Sequence, residues 1–148
     1  MNSFSRCSYL DLEKLLVSNG ATKFIYQWQE GSATVEFVMS GYCLRILVIL
    51  PTKGQFYRNT LTGKVLSVEE AQKVCVKVQK EKWRKLISAI ESKLWSVRHG
   101  VEFFEEAFLP YIVMPTGATV GEITIPNLRG TATQSTAIKL RLPSVVGR

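Results

Sequence analysis

Residues 67–100 read SVEEAQKVCVKVQKEKWRKLISAIESKLWSVRHG, and this stretch decides the fold. Ser67 and Glu70 have the S-x-x-E spacing of a capping box. In that motif the hydroxyl accepts from a first-turn backbone N–H and the carboxylate reaches back to the cap N–H. Helix formers continue to Arg98, and Gly100 supplies a stop because it tolerates the left-handed cap conformation. A helix over this span is about 45 Å long at ~1.5 Å per residue. Trp83, Leu86, Ile87, Ile90, Leu94 and Val97 recur at i, i+3, i+4, i+7 spacing and define one apolar side. Upstream, Val68, Ala71, Cys75 and Val78 point about a quarter to a third of a turn away. The offset predicts that different elements cover the two halves, and it leaves room for a kink or break near Gln79.

A second stripe on the same helix is basic. Lys73, Lys77, Lys80 and Arg84 step by four, three and four residues, so they share one face that flanks the apolar one. Trp95 continues the line beyond Ser88. Cations that end in an aromatic can track a phosphate backbone and stack a base. The plainer reading is a solvated face whose Trp95 packs on another element, and both stand at this point.

Working outward, Ser8-Tyr-Leu-Asp11 repeats the capping spacing and opens a short helix with Leu12, Leu15 and Leu16, ended by Gly20. TKFIYQWQ then alternates, with Phe24, Tyr26 and Trp28 on one face and Lys23, Ile25, Gln27 and Gln29 on the other. ATVEFVMS sets Val35, Phe37 and Met39 against Thr34, Glu36 and Val38, and YCLRILVIL follows, closed by Pro51. Short turns at Gly31 and Gly41 make these three strands an antiparallel meander. The aromatic face of the first strand is either core or a stacking platform on an open sheet.

A polar loop with Gly54 and Gly63 leads to the long helix, and Gln55–Asn59 suggests a short edge strand. Beyond Gly100, residues 101–109 read as an acidic helix with Phe104, Ala107 and Phe108 inward and Glu102, Glu105 and Glu106 outward. Residues 119–125 suggest a last strand. From Pro126 the chain is rich in Thr, Ser and small residues and reads as extended, or ordered only by a partner.

The expected architecture is thus α+β: a three-stranded antiparallel meander, with room for extra short strands, packed against a long amphipathic helix in α-β-β-β-α order. One domain spans residues 1–125, and 126–148 form an extended basic tail. Double-stranded RNA-binding domains share this element order, but their basic helix-start motif is absent here.

Composition narrows the function. The 148 residues carry a formal net charge of +7. Residues 101–122 hold four acidic and no basic side chains, whereas 123–148 hold four basic and none acidic. A positive balance favours nucleic acid or an acidic partner. No apolar run reaches the ~18 residues of a membrane span, so no membrane partner is expected. Residues 1–10 show no export signal, and Cys7, Cys43 and Cys75 lack disulfide or zinc spacing and read as reduced thiols of a cytoplasmic protein.

Catalytic signatures are missing: no phosphate-binding Gly-rich loop, no G-x-S-x-G, no H-E-x-x-H and no D-x-D pair. His99, the one histidine, is more simply a favourable charge near a helix C-terminus than a base. The three glutamates after Gly100 read as a solvated face rather than a metal site. The chain therefore reads as non-enzymatic, with no cofactor and no metal.

Lys82-Trp-Arg-x-Leu-Ile-x-x-Ile-x-x-Lys-Leu-x-x-Val97, Gly100, Phe104-Glu-Glu-x-Phe-Leu109 and Met114-Pro-x-Gly-x-Thr-Val-Gly-Glu122 resemble a family of small uncharacterised phage and mobile-element proteins. The resemblance spans roughly residues 9–122. The chain departs from the family pattern at Glu91, Trp95, Ala107, Thr116 and Ala118, so Trp95 is no general reader of bases in that family. The resemblance implies a bacterial host cell and no particular reaction.

Three functions fit. The first is nucleic-acid binding through Lys73, Lys77, Lys80, Arg84, Trp95 and the tail cations Arg129, Lys139 and Arg141. The second is inhibition of a host defence system, anti-CRISPR-like, by binding a nuclease or surveillance complex. The third is a structural homo-oligomer.

Overall fold

The computed structural model describes residues 3–58 and 61–132. Helix α1 (Ser3–Ser18) leads into strands β1 (Thr22–Gln29), β2 (Ser32–Met39) and β3 (Tyr42–Ile49). A 3-10 turn (Lys53–Phe56) precedes helix α2 (Val68–Arg98). Helix α3 (Phe104–Phe108), a second 3-10 turn (Leu109–Tyr111) and helix α4 (Val120–Ala132) complete the order. The fold is α+β, with a three-stranded antiparallel sheet ordered β1-β2-β3.

Both hairpins close on two residues. Gln29 pairs with Ser32 across Glu30-Gly31, and Met39 pairs with Tyr42 across Ser40-Gly41. Ser40 and Gly41 both have positive φ (52° and 82°), the backbone of a type I′ turn, whose twist matches that of the flanking strands. Register then decides the faces. Ala33, Val35, Phe37, Met39, Leu44, Ile46 and Val48 are buried under the helices. Phe24, Tyr26 and Trp28 are half-buried and pack on the same core. They are a core face, so the stacking-platform reading does not hold. The opposite sheet face is open and presents Ile25, Leu47 and Ile49.

α2 is one continuous helix, with no break at Gln79. Its capping box is formed: Ser67 Oγ accepts from Glu70 N (3.2 Å), and Glu70 Oε2 accepts from Ser67 N (3.0 Å). Its end is a Schellman motif, with Gly100 N donating to Val97 O and Val101 N to Ser96 O, and Gly100 at φ 67°. The offset between its two apolar halves reflects two different covers. Upstream, Cys75 Sγ and Gln79 Nε2 both donate to the Pro51 carbonyl (3.3 and 2.9 Å). Downstream, Trp83, Ile90 and Leu94 enter the main core, where Trp83 meets Tyr26 at a 6.4 Å ring separation. Lys93 Nζ reaches the Ala107 carbonyl (3.1 Å) and ties α2 to the end of α3.

Four expectations change. α1 starts at Ser3, so Ser8 lies inside the helix rather than capping it. Residues 53–58 form a 3-10 turn plus an isolated bridge, Arg58 with Val65, rather than an edge strand, and Asn59 lies outside the described residues. Residues 119–125, expected as a strand, open α4, which runs on through Pro126 to Ala132, so residues 126–132 are helical rather than the extended tail expected there, and 133–148 lie outside the described residues. Thr119 and Glu122 form a capping box there: Thr119 Oγ1 accepts from Glu122 N (3.2 Å), and Glu122 Oε2 from Thr119 N (2.7 Å). A satisfied cap starts the helix despite the β-branched residues that follow. Val113 N donates to Cys43 O (2.8 Å), which places the segment before α4 along the outer edge of β3.

Candidate nucleic-acid interface

The capping box at Ser67 and the burial of Trp83 fix the rotation of α2, and that rotation decides which side chains meet solvent. Lys73, Lys77, Lys80 and Arg84 are all exposed, on a face that flanks the buried one. Their span is about 16 Å along the axis. Among the described residues, Lys73, Lys77 and Arg84 form no salt bridge. Arg45 holds two ion pairs: its Nε sits 2.7 Å from Glu36 Oε1, and its Nη1 sits 3.9 Å from Glu122 Oε2. Arg45 also donates to the Gly117 carbonyl (2.9 Å), which holds the turn before α4 against the sheet.

One further lysine, Lys64, lies at the start of this face, and spacing in the sequence did not place it there. Lys64 and Lys73 lie close enough to Glu70 to favour its charged form, second to its hydrogen bonds from Ser67, and its carboxyl is held below the usual range. Lys53 lies near Cys75, whose thiol is pushed up by burial despite that lysine. Lys64 thus sits by the first turn of α2, whereas Lys53 sits by its covered side with Pro51 and Gln79, away from the ladder.

Trp95 is 52% exposed, against 1% for Trp83. Its ring stacks on His99 at 4.2 Å with 23° between the planes. His99 Nδ1 donates to the Trp95 carbonyl (2.8 Å), so that nitrogen is occupied in closing the helix end. The i, i+4 spacing of the pair was the available signal for this contact. Glu91 lies on the same line between Arg84 and Trp95 and is exposed.

Arg129 does not join the ladder. It lies on α4, which packs on the Leu109–Tyr111 turn and not on α2. There, with Arg45, Leu47, Tyr111 and Ile125, it lines a groove of about 640 Å³ between α4 and the sheet. Lys139 and Arg141 lie outside the described residues.

The glutamates after Gly100 have separate tasks. Glu105 Oε1 accepts from Tyr42 OH (2.9 Å), and Glu106 Oε2 accepts from Phe103 N (2.8 Å) at the start of α3. Among the described residues no group of three or more His, Cys, Asp or Glu could hold a metal. No described helix is long and apolar enough to cross a membrane. No protein-family model, curated protein or solved structure matches the chain.

Proposed function

We propose that this chain is a small non-enzymatic binding protein that engages nucleic acid through the exposed basic face of α2. The observation that carries this reading is the row Lys73, Lys77, Lys80 and Arg84, held in line on one rigid helix and facing solvent. A cationic row of this kind displaces counterions from a phosphate backbone, which makes binding strong at low salt and weak at high salt. Lys64, near Glu70 at the first turn, adds to the same field. The phage or mobile-element setting, in a bacterial cytoplasm, rests on the resemblance of the α2–α4 motifs alone.

The test is a polarisation titration of a labelled oligonucleotide at two salt concentrations. Tight binding at low salt with a steep salt dependence supports the reading, and no binding at low salt rejects it. The groove beside α4 favours a second reading, in which the partner is a protein such as a host nuclease complex. A complex that survives high salt and is broken by Leu47→Asp points to that partner.

A further inference from the structure

Resting on that proposal, we infer that the nucleic acid is single-stranded and that one of its bases stacks on Trp95. Three observations converge. First, Trp95 offers a large aromatic surface to solvent in line with the ladder, about 16 Å beyond Arg84. Second, His99 already covers one side of the indole and fixes its neighbour's backbone carbonyl. The ring is thereby held in place before any ligand arrives, which lowers the ordering cost of stacking. Third, Glu91 interrupts the cations between Arg84 and Trp95.

Glu91 opposes either backbone, so the exposed ring is what discriminates between strands. A duplex laid along α2 shows only phosphates and sugars to a convex helix face. Its bases are stacked internally and are not available to Trp95. A single strand can keep its phosphates on Lys73, Lys77, Lys80 and Arg84 and turn an unpaired base toward Trp95. Charge plus an exposed ring is the pairing that sequence-tolerant single-strand binders use.

The experiment compares the full chain's affinity for a fluorescein-labelled oligothymidine strand of about twelve nucleotides with that for a duplex of equal length. Indole fluorescence is followed alongside, since Trp95 is the most exposed of the three tryptophans. The single strand is expected to bind more tightly and to quench the emission. Trp95→Ala is expected to weaken single-strand binding about 5- to 150-fold, to abolish the quench and to leave duplex binding unchanged. Trp95→Phe keeps a ring and is expected to retain most of the affinity, which separates stacking from loss of fold. Equal binding of strand and duplex, with no quench and no effect of Trp95→Ala, overturns the inference while the basic face stands. No binding of either probe at low salt removes both.

Discussion

Gly121 lies so close to Pro110 that a Cβ built on the glycine would stand 2.8 Å from the proline's carbonyl oxygen. The atom in the way is backbone, so it cannot swing aside. This contact seats the first turn of α4 on the Leu109–Tyr111 turn, and through it the groove beside Arg45. Gly121→Ala is expected to destabilise the fold by about 1–3 kcal/mol. Gly130, in the same helix, has open space at its Cβ position. Gly130→Ala is expected to be neutral or to stabilise by up to about 1 kcal/mol. Urea denaturation of the two variants side by side checks both expectations.

The cap at Ser67 sets where α2 begins and therefore the rotation of its basic face. Ser67→Ala is expected to cost about 1 kcal/mol of stability, read as a lower midpoint in the same urea series. Glu70 titrates below its usual range because of its hydrogen bonds from Ser67. Its contribution is therefore fully present above the ordinary glutamate pKa and is lost as pH falls through the lowered value. Glu70→Gln is expected to flatten that acid-side decline in a pH series of thermal melts.

Tyr26 OH is buried without a hydrogen-bond partner among the described residues, and so is Trp83 Nε1. Burial, with a smaller effect of Tyr9, pushes the Tyr26 phenol from 10.0 up to about 12. The folded chain thus holds this proton to higher pH than the unfolded chain. Stability is expected to be insensitive to this group below pH 10 and to fall as pH rises toward about 12. Tyr26→Phe removes both the unpaired hydroxyl and the titration. It is expected to be neutral or stabilising at pH 7 and to flatten the alkaline decline, as measured by melts across pH.

Glu91 is the one acidic residue on the line from Lys73 to Trp95. Glu91→Gln is expected to raise nucleic-acid affinity about two- to fivefold at low salt, with the gain fading at high salt. Polarisation titrations of the variant against the parent chain check this.

Local chemistry made most of the fold legible. Ser67 with Glu70 marked the start of α2 and Gly100 its end, and the alternation of Phe24, Tyr26 and Trp28 gave the buried face of β1. α4 was missed because two signals in Thr119-Val-Gly-Glu122 conflict. The Thr–Glu spacing argues for a helix cap, while Val120, Ile123, Thr124 and Ile125 argue for a strand. The cap prevails because Gly121 allows the turn to close against Pro110, a contact distant from any local pattern. The ladder was readable from its spacing, since a single helix places it. Lys64 was not, because a loop brings it to the start of α2. Nor was the separation of Arg129 from the ladder, which depends on which side of the sheet α4 settles.

The central claim is that the basic face of α2 meets phosphate. Its most direct test is the salt dependence of oligonucleotide binding for the parent chain and for a variant with Lys73, Lys77, Lys80 and Arg84 all replaced by Gln. The parent is expected to bind at low salt, and the variant to lose about three to four units from the slope of log affinity against log salt. An unchanged slope in a variant that still folds would contradict the account.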